Sequence, residues 1–369
     1  MAEQVLAAVR TGPGTTEMRE FPMPDIGDDE ALLKIEVAGI CGTDVKMYAA
    51  PVISGPVIMG HENVGTIVAA GEQFRRYQGL DEGDRVFLEH YVPCRACEWC
   101  HRGEYRHCAA TDWRTNPDAR RYGYTSAEHP YHLWGGFAQY LFLPWNAVLH
   151  RVPDGVSTES AGIVTPLANG VEWALFDGGV GFGSTVLVQG PGQQGLSQVV
   201  ACKQAGAEQV IVTGTGRDAA RLKLATVLGA DHTVDVTAQD PLTAVRDLIG
   251  GRGVDVVVDC TAGAGTAPVL LGVDALKRRG GVLVVQGEIA AFPDFPLKKL
   301  TEKVITIRSA RGHGHRACEL ALGVLGSGRF PLDLLATHSY PLAEVDTAIR
   351  AVGGELGDDV VHVSLLPWR

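Results

Sequence analysis

The sequence lacks several features, and each absence argues against a class of protein. No apolar run approaches the ~18–20 residues of a membrane-spanning helix, so we expect no membrane partner. No basic run offsets the formal net charge of −11, which argues against nucleic-acid binding. The first residues contain no long apolar segment of the signal-peptide kind, so we expect a cytoplasmic protein. What remains is an ordinary globular composition over 369 residues, a length that suggests two domains.

Four of the eight cysteines lie close together and indicate a metal site. Cys94, Cys97, Cys100 and Cys108 form the pattern C-x₂-C-x₂-C-x₇-C. Four thiolates at this spacing can surround one tetrahedral ion, and Zn²⁺ held by four sulfurs is the closed, structural kind of site. Disulfide pairing is the weaker interpretation, because bridges within C-x₂-C are strained and the spacing is typical of metal or redox chemistry. We therefore predict one structural zinc ion in this loop.

The distribution of apolar runs changes along the chain and predicts an α/β protein. Residues 1–155 contain short strand-like runs separated by turns, which predicts a β-rich domain. From Ser184 onward, apolar runs such as STVLVQG and QVIVTG alternate with helical stretches, which predicts a doubly wound parallel sheet. Near Leu297 the pattern becomes mixed again. We therefore assign residues 156–296 to the parallel-sheet domain, and residues 1–155 and 297–369 to the β-rich domain.

A glycine-rich turn follows the first strand of the predicted parallel sheet. It has the pattern G-x-G-x-x-G, with Gln193 and Gln194 between its last two glycines; the glycines are Gly190, Gly192 and Gly195. A turn of this kind allows close approach to a pyrophosphate, and the helix that follows offers free N–H groups to the anion. The alternative is a glycine-rich turn without a ligand. We predict that these residues bind a dinucleotide.

The end of the second strand of this sheet bears on the choice of dinucleotide. NAD-binding units usually place an acidic residue there to bind the adenosine ribose, but this chain has Gly214. The absence of a carboxylate removes repulsion of a 2′-phosphate, to which Arg217 and Thr215 could donate. Alternatively, Arg217 is a solvated residue at the start of a helix. We expect NADP(H) to be preferred, with NAD(H) possible.

A second set of metal ligands occurs in the β-rich region. Cys41 and Asp44 belong to GICGTD, and His61 belongs to the later GHE. A thiolate and an imidazole are good zinc ligands, and a catalytic zinc needs three protein ligands plus water. The Asp44 carboxylate can fix the imidazole tautomer. Any one of these residues alone would be unremarkable; together they predict a catalytic zinc site.

These motifs occur in the order found in one family. GICGTD, GHE, the four-cysteine loop and GPGQQG make the chain resemble the zinc-dependent medium-chain dehydrogenases/reductases, the alcohol dehydrogenase superfamily. The resemblance implies a GroES-like catalytic domain split in sequence around a Rossmann domain, with Cys41 and His61 as catalytic zinc ligands. It also implies that Thr43 contacts the reacting oxygen and begins a proton relay. Lys46 stands where many members have a histidine at the outer end of that relay.

The third catalytic zinc ligand departs from the family pattern. Members supply a cysteine or glutamate from the segment in which this chain has Thr165, and a threonine is a poor zinc ligand. Glu62, directly after His61, occupies a position that some members use for ligation. Our working site is therefore Cys41, His61, Glu62 and a water, which makes two zinc ions per chain. The alternative leaves Glu62 outside the ligand set, with Thr165 or water nearby.

The expected reaction is hydride transfer between an alcohol, or its carbonyl counterpart, and the nicotinamide cofactor. His90 and Thr165 are candidate residues of the substrate pocket, as is the segment 112–134, which could equally be a surface or subunit-contact loop. We expect a small-molecule substrate and a homodimer or homotetramer. Two other functions stay open: a zinc-free NADPH-dependent quinone or enoyl reductase of the same superfamily, and a non-enzymatic protein that senses zinc or nucleotide.

Overall fold

The protein consists of two compact units in this computed structural model, which describes residues 4–50, 53, 55–287, 289 and 291–369. The first unit comprises Met1–Val164, Gly314–Gly326 and Leu335–Arg369. The second comprises Thr165–His313 and Ser327–Leu334. The first unit is thus discontinuous in sequence, with the second inserted into it.

Strands and helices are numbered here in chain order. The strands of the described residues are β1 (Gln4–Gly12), β2 (Thr15–Pro22), β3 (Glu30–Ile40), β4 (Val57–Ile58), β5 (Glu62–Ala70), β6 (Arg85–Leu88), β7 (Tyr140–Pro144), β8 (Leu149–Arg151), β9 (Thr185–Gln189), β10 (Gln209–Gly214), β11 (His232–Asp235), β12 (Val256–Asp259), β13 (Val282–Val285), β14 (Thr306–Ser309), β15 (His338–Pro341) and β16 (Val363–Leu366).

The α-helices of the same residues are α1 (Gly42–Ala49), α2 (Glu72–Gln78), α3 (Glu98–His101), α4 (Thr158–Ala161), α5 (Val164–Gly170), α6 (Gln193–Gln204), α7 (Ala219–Val227), α8 (Pro241–Leu248), α9 (Ala267–Ala275), α10 (Leu297–Lys303), α11 (His315–Gly326) and α12 (Val345–Val352). Short 3₁₀ turns cover Tyr105–His107, Ala109–Thr111, Gly216–Asp218, Leu332–Leu335 and Leu342–Glu344, and a π-helical segment covers Val171–Asp177. Within the described ranges, no helix has the length and apolar character needed to cross a membrane.

The first unit is built on two sheets. The smaller has the order β2-β1-β4, and the larger has the order β15-β16-β3-β5-β6-β8. Strand β16 pairs with the last residues of β3, and β7 pairs with its first residues. Antiparallel pairing of β3 with β5 sets Gly39 opposite Glu62. This register brings the end of β3, from which α1 starts, next to the beginning of β5, and those two chain segments carry the predicted catalytic ligands.

The second unit contains a six-stranded parallel sheet of order β11-β10-β9-β12-β13-β14. Numbered within this sheet, the order is 3-2-1-4-5-6, that of a dinucleotide-binding doubly wound fold. Its central strands are rich in valine and almost fully buried, because helices cover both faces of such a sheet. The order reverses between β9 and β12, and the glycine-rich turn follows β9 at that point.

The described units differ from the predicted domain boundaries at both ends of the insertion. β14, which the boundary at residue 296 assigned to the β-rich domain, pairs in parallel with β13, so that Thr306 lies opposite Val282. Its TIRS sequence is half polar because it is an edge strand, and apolar patterning alone does not link it to the sheet. The predicted start at residue 156 also precedes the division between Val164 and Thr165.

Candidate active site

Cys41 is placed by the start of helix α1. It is the N-cap residue of that helix, and its Sγ accepts a hydrogen bond from the Thr43 N–H at 3.2 Å. In return, Asp44 Oδ2 accepts from the Cys41 N–H at 3.0 Å. This reciprocal arrangement is a capping box in which a thiol replaces the usual hydroxyl. The helix start therefore holds the sulfur in a defined position.

His61 and Glu62 converge on the same point from the adjacent strand. His61 Nε2 lies 3.1 Å from Cys41 Sγ, and Asp44 Oδ1 lies 3.3 Å from His61 Nδ1. Asp44 also accepts from the Gly60 N–H at 3.4 Å. The ligand atoms of Cys41, His61 and Glu62 all lie within 4.8 Å of one another. The structure therefore brings together the three residues of the predicted catalytic site, with Asp44 behind the imidazole.

The chemistry of this cluster fits a divalent cation. Cys41 is 8 % exposed and Glu62 only 2 %, and Glu62 Oε2 has no hydrogen-bond partner among the residues that the structure describes. Burial raises the pKa of the Cys41 thiol, and it raises the pKa of Glu62 to about 7, because water does not solvate their charges. A bound cation would supply the missing positive charge and occupy the free carboxylate oxygen.

The other predicted catalytic residues have different environments. Thr43 is half-buried in the first turn of α1, and Lys46 is exposed one turn later on the same helix. His90 is 7 % exposed, and its ring centroid lies 5.4 Å from that of His61. Thr165, in α5 of the second unit, is also buried, and within the described part of the chain its Oγ1 has no hydrogen-bond partner.

The four-cysteine loop has the dimensions of a tetrahedral thiolate site. Cys97 Sγ lies 3.5 Å from Cys100 Sγ, and Cys94 Sγ lies 3.9 Å from it; Cys108 Sγ accepts from the Cys94 N–H at 3.4 Å. A tetrahedron with Zn–S bonds of ~2.3 Å has edges of about 3.8 Å. These sulfurs are too far apart for disulfides and at the right distance to share one zinc ion.

A buried polar network attaches this loop to the rest of the first unit, and the sequence analysis missed it. The Tyr105 hydroxyl donates to Glu89, which is fully buried and lies 3.3 Å from His150 Nε2. The other nitrogen of His150 is paired with Glu319 on α11. No motif marks these residues, because they are far apart in sequence and only the fold brings them together.

The predicted dinucleotide turn opens into a cavity of about 490 Å³. Gly190, Gly192, Gly214 and Thr215 line it, whereas Gln193, Gln194 and Gly195 form the first turn of α6. Among the described residues, no side chain caps the N-terminus of α6, and a Cβ on Gly192 would meet nothing within 4 Å. The space and the N–H groups at the start of α6 fit a dinucleotide pyrophosphate.

The ribose end of this cavity contains two residues that the sequence analysis missed. Asp218 and Arg221 line the cavity, whereas Arg217 is not among its lining residues. Asp218 Oδ2 accepts from the Thr215 N–H and hydroxyl at 2.9 and 2.8 Å, and Asp218 Oδ1 lies 3.3 Å from Arg221 Nη1. Asp218 carries the only carboxylate among the described residues of this lining, and it is already hydrogen-bonded and paired with a cation. A helical i,i+3 spacing from Asp218 was the signal that could have identified Arg221.

The segment 112–134 contributes an aromatic wall next to His61. The Tyr124 ring is 8 % exposed, and its centroid lies 5.8 Å from that of His61. Trp113 stacks on Tyr124, with ring centroids 5.9 Å apart. Arg121 contacts both Tyr124 and His90. This part of the segment therefore faces the candidate metal site.

Known proteins match the chain over nearly its full length. Residues 27–154 match the alcohol dehydrogenase GroES-like domain, and residues 195–325 match the zinc-binding dehydrogenase domain. The probable alcohol dehydrogenase adh of Mycobacterium tuberculosis is 37% identical over 98% of each chain, and sorbitol dehydrogenase of Bombyx mori is 31% identical over 97% of this chain and 98% of its own. An alcohol dehydrogenase structure from Thermotoga maritima (26% identity) covers 99% of this chain and 100% of its own, with a TM-score of 0.85. A zinc-binding dehydrogenase structure from Sinorhizobium meliloti, bound to NADP (25% identity), has the same coverage and a TM-score of 0.83.

A doubly wound sheet with a cavity that fits a dinucleotide, and a cluster in the β-rich unit that fits a divalent cation, are typical of one class of protein, the dinucleotide-dependent metal oxidoreductases. The relatives agree with this class. The chain belongs to the zinc-dependent medium-chain dehydrogenases/reductases, the alcohol dehydrogenase superfamily. The predicted fold class and the predicted enzyme class, an alcohol oxidoreductase that uses zinc and NAD(P), are confirmed.

Proposed function

We propose that this enzyme interconverts an alcohol and its carbonyl counterpart with NADP(H) in preference to NAD(H), using two zinc ions per chain. The observation that carries the proposal is the cluster of Cys41, His61 and Glu62, whose ligand atoms lie within 4.8 Å of one another. One zinc ion would be held there and the other by the four cysteines. A zinc ion in the first site supplies Lewis-acid polarisation of the substrate oxygen, and the nicotinamide supplies the hydride chemistry.

The residues around the first site have separate roles in this proposal. Asp44 orients the His61 ring through Nδ1, so that Nε2 is directed at the cation. The Thr43 hydroxyl accepts the proton that the alcohol loses, and Lys46, exposed one helical turn later, exchanges it with solvent. Glu62 is the third protein ligand. Without Glu62, the cluster would consist of only Cys41 and His61.

Four observations support a preference for NADP(H). A side chain at position 214 has little space, because a Cβ there would lie 3.0 Å from Pro191 Cγ and 3.1 Å from Asp218 Cβ. The Asp218 carboxylate is engaged by Thr215 and Arg221, so its repulsion of a 2′-phosphate is reduced. Arg221, rather than Arg217, lines the cavity and can pair with that phosphate. The Sinorhizobium meliloti relative was solved with NADP.

The relatives also bear on the kind of alcohol. Several carry the names sorbitol dehydrogenase or erythritol/L-threitol dehydrogenase. We infer that the substrate is a secondary alcohol with neighbouring hydroxyl groups. The homodimer or homotetramer and the cytoplasmic location expected from the sequence stay predictions.

The test combines a substrate screen with metal analysis. Polyols and matching ketoses are offered with NADP(H) and with NAD(H), and turnover is read from the nicotinamide absorbance. Zinc per chain is measured in the wild type and in Cys41→Ser. We expect turnover with NADP(H), two zinc ions in the wild type and about one in the variant. A fully active protein without zinc at Cys41 would favour the zinc-free reductase instead.

A further inference from the structure

Beside the candidate zinc site, the segment 112–134 holds a guanidinium group that the reaction described above does not use. We propose that Arg121, oriented by His90, is an anion-binding subsite of the active site, and that the substrate is an alcohol carrying a carboxylate or phosphate group. This inference rests on the proposed function and specifies its substrate class.

Arg121 is held rigidly by aromatic rings. Its guanidinium carbon lies 4.8 Å from the ring centroid of Tyr91 and 4.6 Å from that of Tyr124. Its Nη2 lies 2.6 Å from His90 Nε2, which can accept a hydrogen bond as the neutral imidazole. Trp113 stacks on Tyr124 and limits its movement. A planar guanidinium fixed in this way loses little entropy when it binds an oxyanion through its remaining N–H groups.

The charge of Arg121 is not balanced by the protein. In the part of the chain that the structure describes, the Arg121 guanidinium has no carboxylate partner, and its buried Nε makes no hydrogen bond. Elsewhere in the same unit, Arg85 is paired with Glu36 at 2.7 Å. A partly buried cation without a counter-ion is costly, and stacking on two rings offsets only part of that cost. An anionic ligand would supply the missing partner.

The position of Arg121 near His61 indicates that the anionic group it would bind belongs to the substrate. His90 and Tyr124, two of the side chains that contact Arg121, also flank His61, with ring centroids 5.4 and 5.8 Å from it. Arg121 is therefore one side chain away from a proposed zinc ligand. A molecule whose anionic group binds Arg121 can place a hydroxyl group a few bonds away at the zinc site, and this fixes its orientation for hydride transfer.

The experiment compares matched substrates in the wild type, Arg121→Gln and Arg121→Lys. The pairs are gluconate with sorbitol, sorbitol 6-phosphate with sorbitol, and 3-hydroxybutyrate with its methyl ester. One charge-assisted hydrogen bond contributes ~1.5–3 kcal/mol, so we expect Arg121→Gln to lower kcat/KM for the preferred anion by roughly 10- to 150-fold. Activity with the neutral partner should change less than about threefold, and Arg121→Lys should recover part of the loss.

Arg120→Gln is the matched control. The Arg120 guanidinium donates to His129 and to the Asp118 carbonyl, and its hydrogen bonds within the described residues do not involve His90 or Tyr124. The activity of the Arg120→Gln variant should equal that of the wild type with both the anionic and the neutral substrates. Zinc content and melting temperature of all variants show whether they are folded. Comparison of the carboxylate pairs with the phosphate pair identifies which anion the enzyme prefers.

Two outcomes overturn the subsite: a wild type that prefers the neutral member of every pair, or an Arg121→Gln variant that loses activity equally with both members. Failure of the proposed function looks different, because no pair then changes the nicotinamide absorbance with either cofactor. In that case, calorimetry measures the binding of oxalate and of inorganic phosphate to the wild type and to Arg121→Gln, both loaded with zinc and NADPH. The comparison shows whether Arg121 binds an anion. Arg121-dependent binding supports the subsite, and equal or absent binding overturns it.

Discussion

Two neighbouring residues, His61 and Glu62, point to one site although side chains of a regular strand alternate between faces. The exception arises at the start of β5, where Gly60 has a φ of 84°, a conformation that glycine adopts without strain. A Cβ at this position would also lie 2.4 Å from the Phe137 ring. The turn at Gly60 thus lets an imidazole and a carboxylate approach the Cys41 sulfur together.

Replacing Glu62 by Gln tests its role as a ligand. Loss of a supporting partner typically lowers metal affinity about 10–100-fold, and loss of a direct ligand should reach or exceed the upper end of that range. We expect a chelator to remove zinc from one of the two sites in Glu62→Gln, with activity falling in parallel. Glu62→Asp should keep part of the zinc and part of the activity. X-ray absorption should show one fewer oxygen ligand. Unchanged zinc affinity in Glu62→Gln would place Glu62 outside the ligand set.

Arg221 provides a test of cofactor preference at the same scale. Its guanidinium lines the cavity beside Asp218, so Arg221→Ala removes a cation and leaves that carboxylate less neutralised. We expect the ratio of kcat/KM for NADP(H) over NAD(H) to fall by roughly 10–100-fold, since hydrogen bonds to charged groups contribute ~1.5–3 kcal/mol. Arg217→Ala is the control and should leave the ratio unchanged. A shift in Arg217→Ala alone would restore the assignment made from the sequence.

At the scale of elements, we expect the loop from Cys94 to Cys108 to depend on a bound metal for its shape. It contains only the single-turn helix α3 and one short 3₁₀ turn, which cannot be stable by themselves. We expect Cys100→Ser to lose one zinc per chain and to melt at a lower temperature, by about 2–4 °C for each kcal/mol of lost stability. Cys202→Ala, at a fully buried position in α6, should lower the melting temperature with zinc content unchanged. Full zinc content in Cys100→Ser would contradict the assignment.

At the scale of the whole molecule, a buried histidine makes stability depend on pH. Burial opposes protonation of His150, but its neighbours raise its pKa to about 12. The groups that face the His150 ring are Cys318, Glu319, Glu89 and His315, and the Tyr105 hydroxyl donates to Glu89. The unfolded chain releases the same proton above a pH of ~6.5. The bound proton of His150 therefore stabilises the folded state fully below a pH of ~6.5. As the pH rises toward 12, the free energy of unfolding falls by up to about 1.4 kcal/mol per pH unit.

The comparison of His150→Gln with the wild type measures this effect. We expect the wild type to melt at the higher temperature at pH 6.5 and its advantage to shrink by pH 9, because only the wild type carries the titrating imidazole. Val188→Ala, at a buried position in β9 without a titratable side chain, should differ from the wild type by a constant amount over this range. A constant difference for His150→Gln as well would show that His150 holds no extra proton in the folded state.

Local patterns determined much of this protein. The spacing of the four cysteines, the alternation of valine-rich strands with helices, and the glycines around Gly192 each depend on neighbours in sequence, so the grouping of the four sulfurs, the parallel sheet and the glycine-rich turn after its first strand could be predicted. Tertiary structure decided what depends on distant residues. The membership of β14 in the parallel sheet, the pairing of Glu89 with His150, the place of Arg221 in the cavity lining, and the position of Arg121 beside His90 became visible only in the fold. These contacts join segments far apart in the chain, and no local propensity encodes which side chain a given residue will meet across that distance.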